Sequence, residues 1–416
     1  MRIAMIGPFG LRPKGTMSVR ALPMAKALVA RGHQVTLIMP PWSWPEDSGR
    51  EWEEDGVEVV NIPLPPPIPL LQHLVITARL VRRAWRGRPD VVHCFKPKAY
   101  AGLAAMALWF LGKLGLAKVR LVVDSDDWEG AGGWNEIENY TWLQKRLFAF
   151  QERWGLTHCQ ALTVASKALE TIVWSLGVPR DRVFYVPNGL GLVAADQGSQ
   201  GNHPGPRALP SSSDLTTQGG QRVRAQFGLV DRPVILLYTR FFEFRVERVI
   251  EFLADVLDKL PTARLLVVGQ GLFGEGRQLT ALAAERGLAD KVICAGWVEP
   301  RQLPHYFAAA DVAIYPYDDT LINRTKCAVK LIDLMAAGLP IVAEEVGQNG
   351  QYIEHGCSGL LIEPGHTAAL AGAVLGLLQD REQREALSRA ARRRVLEEFS
   401  WDRLVETVER AYGGIT

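Results

Sequence analysis

A chain of 416 residues exceeds the roughly 100–200 residues of a usual domain, so two domains with sizeable cores are expected. Its 48% hydrophobic and 22% charged residues are those of an ordinary globular protein, and a net charge of +2 gives no global drive towards nucleic acid. Cys94, Cys159, Cys294, Cys327 and Cys357 are scattered without CxxC or Cys/His spacing, which indicates neither a disulfide framework nor structural zinc and fits a reducing cytoplasm. The first residues, MRIAMIGPFG, enter a strand-like run at once and do not read as a signal peptide.

Strand candidates follow at residues 3–7, 34–40, 57–63, 90–95, 119–124, 161–166 and 182–187, with helical patterns between most of them. That alternation is what a parallel sheet requires, because parallel neighbours need a crossover connection. The loop after the first strand, GPFGLRPKGTMS, leads into a helix near Ser18, and Gly15 would let backbone approach a ligand closely. Residues 69–88 mix Leu, Val and Trp85 with Arg79, Arg82, Arg83, Arg86 and Arg88. They read most simply as a crossover helix with a basic solvent face; the alternative is peripheral contact with an anionic membrane on the cytoplasmic side. His93, in DVVHCF, is either a ligand-binding or a core histidine. Residues 99–116 are apolar but broken by Gly102, Gly112, Lys113 and Gly115, so a buried crossover helix is expected rather than a span of about 20 residues. LVVDSDDWEGAGGWNE sets Asp124, Asp126, Asp127 and Glu129 at and beyond a strand end, where they could meet ligand hydroxyls, cap a solvated loop or hold a divalent metal.

From 189 to 221 the text turns rich in Gly, Pro, Ser and Gln and reads as a linker, disordered in part. Alternation resumes with strands expected at 233–239, 263–269, 292–296, 311–316, 340–344 and 359–362, then helices almost to the end. The division expected is 1–188 for a first Rossmann-like domain, 189–221 for the linker, 222–395 for a second Rossmann-like domain and 396–416 for a C-terminal helix. Ligands of such sheets sit at the carboxyl ends of strands.

Three features of the second half carry chemistry. In ILLYTRFFEFRVERVIEFL, Arg240 leaves a strand and Arg245 opens the next helix, so two guanidiniums flank a helix N-terminus suited to a diphosphate; nearby Glu243, Glu247 and Glu251 allow a purely structural ion-pair network instead. In CAVKLIDLMAAGLPIVAEE, Lys330 and Asp333 share one helix face, placing a carboxylate for a ribose diol and an ammonium for phosphate or sugar oxygens, unless they form an intrahelical salt bridge. RLLVVGQGLFGEG holds a GxGxxG of Gly269, Gly271 and Gly274, explained equally by a dinucleotide fingerprint or a tight turn.

Taken in order, YTRFFEFRVERVIEFL, VVGQG, GWVEPRQLPHYFAAADVAIYP, KLIDLMAAGLPIVA and GCSGLLIEPG resemble the retaining glycosyltransferases of family four, the group 1 glycosyl transferases of GT-B architecture. The first half fits through MRIAMIGPFG, ALVARGHQVTLI, DVVHCF and VASKALETIVWSLGVPRDRVFYVPNG. The resemblance implies an α/β, GT-B fold of two Rossmann-like domains facing a central cleft, with C-terminal helices packing back on the N-terminal domain. It implies transfer of a sugar from a nucleotide-diphosphate sugar to a glycan, lipid-linked or small-molecule hydroxyl, with retention and without a metal or other cofactor. Arg240 and Arg245 would bind the donor diphosphate, Asp333 the ribose, and main chain around Trp297–Glu299 the base. Gly15, Gly271, Lys330 and Glu299 complete the expected donor contacts, and His93, Asp126, Asp127 and Glu129 the acceptor contacts. The first acid of the family's Glu, seven residues, Glu motif falls on Thr325, with Asn323, Lys326 or Lys330 as possible substitutes. A nucleotide-sugar 2-epimerase-like isomerase and a non-catalytic sugar-nucleotide-binding protein are the alternatives.

Overall fold

A computed structural model describes residues 1–12, 15–69, 71–116, 118–191 and 213–413. The chain divides into two compact units: Met1–Gly189 with Arg324–Cys327 and Trp401–Thr416, and Leu190–Asn323 with Ala328–Ser400.

The first unit is built on β1 (Arg2–Ile6), β2 (Gln34–Met39), β3 (Glu51–Glu54), β4 (Val57–Asn61), β5 (Val91–Phe95), β6 (Arg120–Ser125), β7 (Ala161–Val164) and β8 (Val183–Tyr185), in the order β3-β4-β2-β1-β5-β6-β7-β8. All pairings are parallel except β3 with β4. Central strands such as VVHCF are buried throughout, because helices cover both faces of a doubly wound sheet. Strand β3, EWEE, lies outside the sequence expectation because its glutamates carry no apolar run. The signal for it is the Asp55–Gly56 turn, with φ of +50° and +78°, which is the two-residue turn that antiparallel hairpins favour. The switch in strand order falls between β1 and β5, so the loops after those strands open at the carboxyl edge.

Of the three hydrophobic clusters among this unit's described residues, the two largest lie on opposite faces of the sheet. One joins Met5, Met17, Leu28 and Leu37 to Trp401, Val405 and Val408, so the last helix, Trp401–Ala411, completes the first unit. Its buried residues Trp401, Leu404, Val405 and Val408 recur at helical spacing, which leaves the polar face outward. The other core sets Ile6, Val92 and Cys94 against Leu80 and Leu108 from the helices Leu71–Arg86 and Ala99–Lys113.

A buried polar network threads the first unit. Arg20, in a π-helical turn (Met17–Ala21), is fully buried and donates through Nε and Nη2 to both carboxylate oxygens of Asp124, at 2.8 and 2.7 Å. Its Nη1 reaches Asn188 Oδ1 at 3.2 Å, and the Asn188 amide donates to the Cys327 carbonyl at 2.9 Å. The Thr163 hydroxyl donates to Asp124 at 2.5 Å.

The second unit is built on β9 (Val234–Tyr238), β10 (Arg264–Val268), β11 (Val292–Gly296), β12 (Val312–Tyr315), β13 (Ile341–Glu344) and β14 (Leu360–Ile362). They form an all-parallel sheet in the order β11-β10-β9-β12-β13-β14, whose switch point lies between β9 and β12. The helix Val246–Lys259 buries Val246, Val249, Ile250, Leu253, Val256 and Leu257, the one-faced pattern that seats it on the sheet. Much of the expected 189–221 linker lies outside the described residues, but a helix already spans Ser213–Gln226. The Gly219–Gly220 pair that suggested a linker serves close packing: a Cβ on Gly219 would lie 1.9 Å from the His305 ring, and one on Gly220 2.8 Å from the Ala308 backbone.

Removing one partner of a buried ion pair leaves the other charge uncompensated, so Asp124→Ala is expected to lose about 3–5 kcal/mol of stability. The double variant Arg20→Met/Asp124→Leu should lose less than either single truncation. Chemical denaturation of Arg20→Ala, Asp124→Ala and the double variant beside the wild type measures both.

Candidate functional site

The turn after β9 determines where Arg240 points. The Thr239 amide donates to Val268 O at 2.9 Å, and the Phe241 amide to Thr239 Oγ1 at 2.7 Å, which holds Phe241 buried in the left-handed region at φ +65°. Gly269 (φ +126°) is required opposite, since a Cβ there would lie 1.7 Å from Thr239 O. Between these fixed points Arg240 turns outward, its side chain 40% exposed, 3.5 Å from Glu243 and over the Phe242 ring.

Arg245 is exposed and stands just before the helix Val246–Lys259; its backbone N–H donates to Asp318 Oδ2 at 2.9 Å. Asp318 also meets Arg248, which reaches the fully buried Glu344. Glu344 accepts from the amides of Tyr317 at 2.6 Å and Gly365 at 2.8 Å, so one carboxylate ties β12, β13 and the chain beyond β14 to the helix that carries Arg245. Arg248, Asp318 and Glu344 escaped the sequence reading; the signal available was an acid ending the apolar run IVAE.

Lys330, on the helix Val329–Ala336, holds its ammonium 5.2 Å from the Tyr238 ring at the end of β9. Asp333 follows three residues later on the same helix and is 7% exposed. The structure thus brings Arg240 and Lys330 to one strand end, with Arg245 and Asp333 on the two helices that follow the switch strands.

Other expected donor contacts have local roles. Gly271 faces the Glu275 carboxylate, which accepts the Phe273 amide at 2.8 Å, so the GxGxxG turn is closed by its own acid. Glu299 is exposed, and its carbonyl accepts the amides of Gln302 and Leu303 at the start of the helix Leu303–Ala308. The Gly15 amide donates to Ser18 Oγ at 3.0 Å, and its carbonyl receives the amides of Ser18 and Val19. Thr325 is fully buried and its carbonyl accepts the Ser166 hydroxyl at 2.7 Å; a carboxylate enclosed at that position would carry a large desolvation cost. Asn323 donates its amide to the Glu243 and Asp318 carbonyls and so fastens the loop after β12.

In the first unit the acidic loop after β6 surrounds a cation. Lys96 Nζ lies 3.0 Å from Asp127, 3.2 Å from Glu129 and 3.4 Å from Asp126, and Lys98 Nζ lies 2.6 Å from Glu129. Against the desolvation that burial imposes, the three carboxylates hold the Lys96 ammonium well above the usual lysine range. Among the described residues no His, Cys, Asp and Glu side chains group to hold a metal, and lysines stand among these acids instead. Asp126 also accepts the Thr16 hydroxyl at 2.6 Å, and burial pushes its pKa up to about 6. Glu152, almost fully buried, accepts the Glu129 amide at 3.0 Å, and burial pushes it up to about 8. Lys96, Lys98 and Glu152 were missed by the sequence reading, although KPK directly after an apolar strand marks the first two.

His93 is a correction to the expected acceptor set. It is fully buried, with one ring nitrogen 2.8 Å from the Tyr412 hydroxyl and the other 3.1 Å from Thr163 Oγ1, and burial lowers its pKa to about 4. It is a core histidine linking β5 to the C-terminal residues.

Residues 15–189 match the Glycosyl transferase 4-like domain, and residues 232–380 match the Glycosyl transferases group 1 family. Among relatives, a glycosyltransferase of Methanocaldococcus jannaschii is 22% identical, over 99% of this chain and 98% of its own. The sulfoquinovosyl transferase of Arabidopsis thaliana is 24% identical over 79% of this chain and 57% of its own. A GDP-mannose-dependent phosphatidylinositol monomannoside mannosyltransferase of Mycobacterium tuberculosis is 28% identical over 44% of this chain and 48% of its own. The chain therefore spans about half the length of these last two relatives. Among solved structures, sucrose-phosphate synthase from Thermosynechococcus elongatus superposes with a TM-score of 0.68 at 20% identity, over 99% of this chain and 98% of that one. Anabaena HepE in complex with UDP gives 0.67 at 17% identity, over 99% and 100%.

The chain is a glycosyltransferase of the GT-B fold. It belongs to family four, the group 1 glycosyl transferases, as both halves of the sequence match.

Glu152 gives the acidic loop a pH dependence with a definite sign. Its folded pKa lies above its unfolded value, so its contribution is fully present below about 4.5 and is lost as pH rises through about 8. Glu152→Gln, which keeps an oxygen for the Glu129 amide, is expected to melt several degrees above wild type at pH 9 and to narrow that gap at pH 6. Calorimetry across this range checks it.

Proposed function

We propose that this glycosyltransferase takes its sugar from a nucleoside diphosphate sugar and delivers it to a hydroxyl acceptor with retention at the anomeric carbon. The observation that carries the donor reading is the grouping of Arg240 and Lys330 at the end of β9, with Arg245 opening the next helix. Three cations beside a strand end and a helix start suit a diphosphate, which offers several charged oxygens to forked guanidiniums. The reading is supported by relatives whose names specify GDP-mannose and by a fold relative in complex with UDP-glucose.

In this mechanism the bond from the anomeric carbon to the diphosphate oxygen breaks while the acceptor oxygen bonds on the same face. The acceptor proton passes to the departing phosphate oxygen. Arg240 and Arg245 meet the charge that grows on the diphosphate, and such preorganised cations act on the transition state more than on bound donor. Asp333 accepts hydrogen bonds from the ribose hydroxyls, Lys330 meets phosphate or sugar oxygens, and the main chain near Trp297–Glu299 receives the base. Of the acids in the first unit, Asp126 is assigned to the acceptor hydroxyl, because Lys96 stands nearer to Asp127 and Glu129.

Arg240→Ala is expected to lower kcat by about 10²–10³-fold, the usual cost of removing one preorganised charge-stabilising donor. Asp333→Ala should abolish the rise in melting temperature that nucleoside diphosphates give the wild type. The assay is nucleotide release from a panel of nucleotide sugars with and without hydroxyl acceptors, repeated with EDTA, which should leave the rate unchanged. Turnover of the donor without acceptor would instead identify an isomerase, and unchanged nucleotide affinity in both variants would remove the assigned donor site.

A further inference from the structure

The helix Trp142–Thr157 of the first unit faces outward with the wrong side for a solvated helix. A capping box fixes its start, with the Thr141 hydroxyl accepting the Gln144 amide and the Gln144 side chain accepting the Thr141 amide. From that start Gln151, Glu152, Gly155 and Leu156 turn inward and are buried. Leu143, Leu147, Phe150 and Trp154 recur at i, i+4, i+7 and i+11, the spacing of an apolar helix stripe, and they lie on the other side. Leu143 is 69% exposed, Leu147 46% and Phe150 54%, while Trp154 is half-buried. The stripe is about 16 Å long at the rise of an α-helix. It continues onto the neighbouring helix Ala99–Lys113, whose Phe110 ring stacks 6.1 Å from Trp154 and is 51% exposed; Leu114, just beyond, is 71% exposed.

On the two helices that carry this stripe the exposed charges are all basic. Arg146 and Arg153 are exposed on the same helix, Arg146 lying over the Trp142 ring at 5.1 Å, and Lys113 is exposed at the end of the neighbouring helix. Glu152 is the helix's one acid and it is buried, whereas Ala99–Lys113 has none. The basic stretch 69–88 is less available than its sequence suggests: Arg79 donates to the Pro63 carbonyl at 2.6 Å, and Arg83 is engaged by Glu58. Among the described residues no helix is long and apolar enough to cross a membrane.

We propose that this face docks on an anionic lipid surface, with Leu143, Leu147, Phe150 and Phe110 entering the headgroup boundary and Arg146, Arg153 and Lys113 meeting lipid phosphates. Aromatic and aliphatic side chains flanked by cations, with no outward acid on either helix, are what an interfacial helix needs, and this sets the two helices apart from a protein interface rimmed by both signs. The inference is independent of the donor chemistry, since none of these residues belongs to the site assigned above.

The test is flotation of the full chain with vesicles of phosphatidylcholine and phosphatidylglycerol, beside phosphatidylcholine alone. Wild type should float with the anionic vesicles and dissociate as salt is raised. L147E/F150E should reduce partitioning by about tenfold or more, and R146Q/R153Q by roughly thirtyfold at about 1 kcal/mol per cation. Both variants change exposed positions, and unchanged melting curves confirm their folding. Three outcomes overturn the proposal: no flotation of folded wild type with anionic vesicles, equal flotation of wild type and L147E/F150E, or a concentration-dependent dimer that L147E/F150E abolishes, which would make a second copy the occupant.

Discussion

The first unit depends on one buried ion pair. Arg20 and Asp124 are both fully enclosed, and every hydrogen-bonding group around them is committed: Thr163 and Arg20 to the carboxylate, Asn188 to the remaining guanidinium nitrogen. Such a pair is not retained for net stability, because desolvation of two charges offsets most of their attraction. It specifies arrangement. Asp124 is in β6, Thr163 in β7, Arg20 in the π-helical turn after β1, and Asn188 lies beyond β8 and holds Cys327, 139 residues further on. A shift in any of these elements would strand a charge, so the carboxyl edge of the sheet is held in one register. The acidic loop that begins two residues after Asp124 inherits that rigidity.

The second unit reaches the same end with Glu344. That carboxylate takes the side chain of Arg248 and the amides of Tyr317 and Gly365, which secures the strand ends on one side of the switch point. Backbone strain gathers at the same places. Of the six non-glycine residues at positive φ among the described residues, Lys96 and Ala99 follow β5 and Phe241 follows β9, strands that flank the two switch points. Such conformations cost roughly 1–3 kcal/mol each and persist only where the surroundings fix them. Here the surroundings are the carboxylates about Lys96 and the Thr239–Gly269 contact about Phe241. The strained residues are those that aim Lys96 and Arg240.

Much of the fold was legible because buried parallel strands leave continuous apolar runs, as in VILLY, RLLVV and VVHCF. What escaped was encoded by contact between distant residues. Strand β3 is a row of glutamates and tryptophan whose identity comes from its pairing with β4 through Asp55–Gly56. The Gly219–Gly220 pair has a linker's composition, but its purpose is the approach of two helices. His93 could be placed on its strand from the sequence, whereas its partners Thr163 and Tyr412 lie 70 and 319 residues away. The cations Arg240, Arg245 and Lys330 were legible since they punctuate strand and helix boundaries. The network beneath them, Asp318, Arg248 and Glu344, was not, because nothing in its spacing shows that its members meet.

The contrast between Thr325 and Asp333 bears on how donor recognition is divided. Both follow β12, eight residues apart, and both are buried, but Asp333 sits on a regular helix three residues from Lys330 while Thr325 has its main chain fastened to Ser166. The Asp333 carboxylate stands on the same helix as Lys330. One introduced at Thr325 would enter a fully enclosed position whose carbonyl is already bonded, and it would either shift its pKa upward or displace the Ser166 contact. Restoring an acid at Thr325 is therefore not the local repair that a sequence comparison would suggest. On the donor reading proposed above, the cations and Asp333 serve the nucleoside diphosphate, and contacts to the sugar must come from groups other than the Thr325 side chain.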